Sequence, residues 1–265
     1  MALQYRLLHD SAELEQVVDL EIAIWGLDPR DAVPTNIMHV IARYGGLVNG
    51  AFHDSQLVGL ALALPMQVDG EWILWSHMTG VHPNYQGQGI GLKLKQMQHD
   101  WALQHNYQTM RWTFDPLQRG NANFNLHLLG TVADQYHNNL YGSMNDEINA
   151  DLPSDRLETV WYLNQEQPKF SSHQVEFSLD YLLLRRQENN QPARLIAIDD
   201  NAAFWFIEIP ANLRLLRLQD ARLAYEWRIA LREAFQLAFA AGYWAVDFVD
   251  FQGRHCYVLT CQKRQ

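Results

Sequence analysis

The chain has 265 residues, 48% hydrophobic, 19% charged and 12% aromatic, a globular composition long enough for one large domain or two small ones. Thirty acidic against twenty basic residues leave a net charge of −10 with the histidines neutral. That balance argues against generic nucleic-acid or anionic-membrane binding and favours cationic or amine partners.

Gln4 to Leu8 reads as a short strand. Asp10 or Ser11 can cap a helix carrying Leu14, Val17, Val18, Ile22 and Ile24 at roughly helical spacing, stopped at Trp25-Gly26. A second short helix spans Ile37 to Tyr44. Leu47 to His53 and Leu57 to Pro65, joined by Asp54-Ser55-Gln56, predict a hairpin, and Trp72 to Val81 a third strand. Ile90, Leu94, Met97 and Trp101 then mark one face of a helix, and Gln108 to Phe114 returns to strand. The order βααβββαβ predicts an α+β or α/β domain.

The polar stretch from Asn164 to Gln174 suggests a boundary, giving domains of 1–168 and 169–265. Beyond it, strands are expected at Val175–Asp180, Arg194–Ile198 and Trp205–Ile209. A long helix capped by Asp220 should bury Ala224, Trp227, Leu231, Ala234 and Ala238, and Tyr243–Phe251 and Cys256–Leu259 should close the subdomain as strands. The two cysteines, Cys256 and Cys261, form no disulfide framework and lack the spacing of a short zinc turn. No leader-like start and no run of about 20 apolar residues is read in the sequence, so a cytoplasmic setting is expected.

The stretch Val81-His82-Pro83-Asn84-Tyr85-Gln86-Gly87-Gln88-Gly89-Ile90-Gly91 joins a predicted strand to a predicted helix. Glycines let backbone N–H groups turn inward, and a helix start adds free donors and a positive dipole end. Such a turn suits a phosphate or pyrophosphate, although a plain strand-to-helix connection has the same glycines. Walker A fails because Gly91 and Lys93 are each followed by leucine. The dinucleotide fingerprint fails because Gly87, Gly89 and Gly91 are spaced two apart.

Val81, Pro83, Gln86, Gly89 and Gly91 match Val-x-Pro-x-x-(Gln/Arg)-x-x-Gly-x-Gly, which resembles the coenzyme A loop of GNAT-type N-acetyltransferases. The element order around it is also that superfamily's, over about residues 4 to 165. Trp112-Thr113-Phe114-Asp115-Pro116-Leu117 and Asn121-Ala122-Asn123-Phe124-Asn125 resemble a bacterial branch of predicted acetyltransferases that carries a C-terminal extension. The resemblance implies a mixed, mostly antiparallel sheet flanked by helices, plus a smaller C-terminal α+β subdomain. It implies acetyl transfer from acetyl-CoA to an amine of a small molecule or protein by direct attack in a ternary complex. The alternative is a catalytically silent CoA-binding regulatory or scaffold module.

On that resemblance the pantetheine arm lies against the strand carrying Thr79 and Val81, and the pyrophosphate meets Gln86, Gly87, Gln88, Gly89, Ile90 and Gly91. Lys93 and Lys95 would add positive charge there or simply be solvated. Asn121 would bond the pantetheine arm. His77 is the first candidate base and Asp115 could hold or relay the acceptor's proton, while a half-buried histidine and a strand-ending Asp-Pro turn fit them equally. The superfamily often has a tyrosine acid seven residues after that asparagine. Here residue 128 is leucine, leaving Tyr136 and Tyr141 as substitutes or as ordinary packed aromatics. Trp25 would border the acceptor mouth. The histidines form no metal-ligand pair, so no metal is expected, and the C-terminal subdomain would cover the acceptor side or join two subunits of a homodimer.

Overall fold

The computed structural model describes residues 3–142, 152–165, 177–194 and 202–261. Contacts divide the chain into two compact units. The first runs to Trp112 and includes Tyr162–Gln165; the second begins at Thr113 and takes in the other described residues.

The first unit contains β1 (Gln4–Leu7), α1 (Ser11–Trp25), α2 (Thr35–Arg43), β2 (Leu47–His53), β3 (Gln56–Val68), β4 (Glu71–Val81) and α3 (Ile90–Gln104). It also holds residues 109–112 of β5 (Thr109–Phe114). The sheet order is β1-β2-β3-β4-β5, antiparallel until the parallel β4–β5 pair. Local chemistry sets the first helix: Asp10 accepts from the Ala12 N–H at 2.9 Å, and Gly26 ends it in the left-handed region at φ 66°. β2 and the first half of β3 are apolar almost throughout because helices cover both faces. Leu14, Val17, Leu20 and Met38 pack on one face with Leu60 and Leu62. Ile90 and Leu94 pack on the other with Ala51, Val58 and Ala61. Each such aliphatic side chain contributes about 1.5–3 kcal/mol on burial.

The buried face of α3 is rotated from the one expected. It consists of Ile90, Leu94, Lys95, Gln98 and Ala102, while Met97 and Trp101 are only partly covered. A lysine and a glutamine therefore stand where the helical period alone placed apolar residues.

The second unit contains α4 (Arg119–Ala122), which runs into a wider π turn at Asn123–Leu128, then β6 (Val132–His137) and β7 (Arg156–Tyr162). β8 (Leu182–Arg186), β9 (Pro192–Arg194), β10 (Phe204–Ile209), α5 (Leu213–Gln219), α6 (Ala221–Ala240), β11 (Trp244–Phe251) and β12 (Arg254–Thr260) follow. The strand order is β7-β6-β11-β12-β10-β8-β9, with β8–β10 parallel and the other pairs antiparallel.

The capped helix from Asp220 forms as expected, the Asp220 side chain accepting from the Leu223 N–H at 2.9 Å. Its Trp227, Leu231 and Phe235 share one core with Phe114, Leu117, Leu126 and Leu157, as well as with Tyr257 and Leu259. The 168/169 boundary read from the sequence thus does not separate two hydrophobic cores, because β6 ladders directly onto β11 at Ala133–Ala245. Of the expected strand Val175–Asp180, the described part is a coil leading into a single turn at Leu179–Tyr181. Of Arg194–Ile198, only Arg194 lies within the described residues, at the end of β9. Among the described residues no helix is long and apolar enough to cross a membrane, and no three metal-ligating side chains gather.

Candidate functional site

The loop from Val81 to Gly91 forms between β4 and α3 as the sequence implied. A short turn at Pro83–Tyr85 is followed by Gly87 at φ 75° and Gly89 at φ 78°, a region that strains any residue bearing a Cβ. A Cβ built at either glycine meets nothing within 4 Å, so space is not the constraint; the backbone turn is. The Gln86 side chain folds back to donate to the Val81 carbonyl at 3.2 Å and closes the loop on itself. Gly89 caps α3 without a side-chain bond, and the first intrahelical bond is Lys93 N–H to the Gly89 carbonyl at 3.0 Å. The N–H groups of Ile90, Gly91 and Leu92 therefore begin a helix with no acceptor among the described residues, preceded by the exposed amides of Gly87 and Gln88. Ile90 itself is 1% exposed and anchors the helix start in the core.

β4 supplies the second feature. Its ladder to β3 runs Leu62↔Met78 and then Ala63↔Ser76, so His77 is the extra residue of a β-bulge. On the other side, β4 pairs with β5 only at Leu74↔Met110 and Trp75↔Arg111. From Ser76 onward the β5-facing edge of β4 carries no ladder to β5. His77 is open to solvent, yet protein crowds enough of its ring to lower its pKa below the ordinary imidazole value by desolvation. The Thr79 hydroxyl oxygen is buried without a partner. Trp25 lies across the same strand: a Cβ at Gly80 would meet its ring at 2.9 Å, so Gly80 is what admits the indole. His77, Thr79, Val81, Gln86 to Gly91 and Trp25 are thus all brought to β4 and the loop it feeds.

The remaining expected site residues belong to the second unit. Asp115 is 5% exposed, and both its oxygens are taken by Arg228 at 2.7 and 2.8 Å, with the Leu117 N–H at 2.9 Å. Burial alone would raise its pKa, but the charges of Arg228 and Arg156 and these bonds hold it below the ordinary carboxylate value. Asp115 is thus a buried anion paired with Arg228, with Oδ1 accepting two bonds and Oδ2 one. Tyr136 donates to Asp155 at 2.9 Å, and burial together with that carboxylate pushes its pKa well above the usual phenol, which makes it a poor acid. Tyr141 is 52% exposed, with its hydroxyl 3.1 Å from the Thr113 hydroxyl. Asn121 is exposed on α4, and Leu128, at the position of the absent tyrosine, is 54% exposed on the π turn.

The sequence reading named Lys95 without its burial and missed Glu21 and Arg228. Lys95 is 2% exposed, not solvated like Lys93, because its amine turns inward to Ser76. Glu21 on α1 is 4% exposed and, among the described residues, accepts only from the Val33 N–H, at 3.2 and 3.3 Å; burial raises its pKa to about 7. Arg228 is the counter-charge of Asp115. The only sequence signal for Lys95 and Arg228 was a cation on an otherwise apolar helix face.

Residues 14–130 match the family model of the acetyltransferase (GNAT) family. No curated protein sequence matches the chain. Among solved structures, a chain of the NatC complex bound to Gag peptide and CoA superposes with a TM-score of 0.50 at 13% identity, covering 61% of this chain and 99% of its own. The ribosomal-protein-S18-alanine N-acetyltransferase from Escherichia coli gives 0.49 at 13% identity, over 64% and 99%. The yncA protein from Salmonella typhimurium, with its cofactor acetyl-CoA, gives 0.49 at 18% identity, over 63% and 96%.

Proposed function

Residues 14–130 form a GNAT-family acetyltransferase domain, and on that premise we propose that the chain moves an acetyl group from acetyl-CoA to the amine of a small molecule or a protein. The observation that carries the proposal is the run of N–H groups from Gly87 to Leu92, at the start of α3, that have no acceptor among the described residues. Such a run holds a pyrophosphate by hydrogen bonds and the helix dipole, without needing a basic surface. The unpaired edge of β4 beyond Trp75 suits an amide-bearing arm, and the partnerless Thr79 hydroxyl lies on the same strand. The residues present therefore fit acetyl-CoA, which when bound would supply an acyl thioester.

The chain's own part is positioning and proton handling. The β4 bulge at His77 leaves backbone amides out of the β3 ladder, where they can donate to a developing oxyanion. The His77 imidazole, held neutral by its lowered pKa, can accept the proton an attacking amine must lose. Tyr141, with an exposed hydroxyl, is the tyrosine left to protonate a departing thiolate; Tyr136 and Asp115 are committed to their ion partners. Attack is direct, in a ternary complex. Trp25 borders the acceptor side of β4. Residues 1–168 are proposed as the acetyl-CoA-binding segment, and the remainder as its structural complement.

One observation favours a second reading, a silent CoA-binding module: residue 128 is leucine, and the Tyr136 hydroxyl is hydrogen-bonded to Asp155, so neither supplies a free phenol to act as acid. A thiol-release assay with acetyl-CoA and a panel of polyamines, aminoglycosides and free peptide N-termini separates the two. Amine-dependent release above hydrolysis supports transfer; tight acetyl-CoA binding with no release across the panel supports the silent module.

A further inference from the structure

The β4–β5 ladder ends at Trp75 and Arg111, and the next residue on each strand touches one atom, the Nζ of Lys95. That amine donates to the Ser76 hydroxyl at 2.7 Å and stands 3.4 Å from the centroid of the Trp112 ring. The Ser76 hydroxyl in turn donates to the Gln98 side-chain carbonyl at 2.9 Å. The four side chains are 2%, 3%, 5% and 0% exposed for Lys95, Ser76, Trp112 and Gln98. Among the described residues no carboxylate stands within 4.0 Å of the amine, and desolvation drives its pKa well below that of an ordinary lysine. The groups shown against it are the Ser76 hydroxyl and the Trp112 ring; β3 carries no ionisable side chain.

A buried amine without a counter-charge is costly, and leucine would fill this helix face at no such cost. Ser76 is also the residue immediately before the bulged His77. We propose that Lys95 is a positioning residue: by clamping the Ser76 hydroxyl together with Gln98, it fixes the β4 bulge and so the direction of the His77 and Met78 amides toward the acyl carbonyl. This rests on the acyl-transfer reading above. It assigns the two amines of α3 opposite roles, since Lys93 remains at the surface.

Steady-state kinetics with acetyl-CoA and the best amine of the panel test it, using Lys95→Met, Ser76→Ala and Ser76→Thr. Lys95→Met and Ser76→Ala should lower kcat by about tenfold or more while KM for acetyl-CoA stays within about twofold. Ser76→Thr, which keeps the hydroxyl, should stay within about threefold of wild-type kcat. Amide hydrogen exchange at His77 and Met78 should quicken in Lys95→Met while the melting temperature does not fall, because an apolar chain of similar length replaces a desolvated amine. Wild-type kcat in Lys95→Met and Ser76→Ala overturns the proposal and leaves the acyl-transfer reading standing; so does a matched rise in acetyl-CoA KM. A wild-type protein that turns over none of the panel contradicts the reading itself.

Discussion

The Asp115 carboxylate and the Arg228 guanidinium face each other through two parallel bonds of 2.7 and 2.8 Å, with 5% and 1% exposure. They are 113 residues apart in sequence, and they tie the end of β5 to α6. Removing one partner strands a buried charge, whereas removing both relieves the stranding. Arg228→Met should cost about 3–5 kcal/mol in urea unfolding, and Asp115→Asn added to it should restore part of that loss. A change below about 1 kcal/mol for Arg228→Met would contradict the pairing.

A fragment of residues 1–168 should not fold to a soluble monomer. It would keep Phe114, Leu117, Leu126 and Leu157 but lose Trp227, Leu231, Phe235 and Tyr257, against which they pack. Exposing that surface forfeits on the order of 10 kcal/mol, comparable with a whole domain's stability. Size-exclusion chromatography and near-UV circular dichroism of the fragment check this; a monodisperse fragment with native side-chain signals would refute the shared core.

Glu21 predicts a pH signature. Among the described residues no cation pairs with its buried carboxyl, and burial raises its pKa from the usual 4.5 or so to about 7. Between those values the folded chain keeps a proton that the unfolded chain sheds, so this group's contribution falls as pH rises through the window. Glu21→Gln keeps an acceptor for the Val33 N–H and removes the charge. Its stability should match wild type near pH 4 and exceed it by about 1–3 kcal/mol near pH 8. Urea melts at both pH values measure this, and equal stability near pH 8 would count against the burial argument.

Much of the first unit was legible in the sequence because its signals are local. Asp10, Gly26, the stripe of Leu14 and Val17, the hairpin turn and the glycine spacing of the loop each act within a few residues. What could not be read depends on partners distant in the chain. Lys95 is buried because Ser76 and Trp112 receive it from strands 19 residues before and 17 after; Asp115 looks like a strand-ending turn until Arg228 arrives. The bulge at His77 was also hidden, since it appears only in the β3 register. The polar stretch around residue 168 is a related case. A polar stretch marks a break in hydrophobicity, and here the core on either side of that stretch is shared.

The account depends most on the loop between β4 and α3. Isothermal titration of acetyl-CoA into the wild-type chain and into Gly89→Glu tests it directly. The left-handed backbone at Gly89 resists a Cβ, and a carboxylate placed there would compete for the amides and repel a pyrophosphate. The account predicts one site per chain with micromolar or tighter affinity in the wild type, weakened at least about a hundredfold in Gly89→Glu, with both proteins equally folded. Wild-type affinity in the variant, or no acetyl-CoA binding by the wild-type chain, would contradict it.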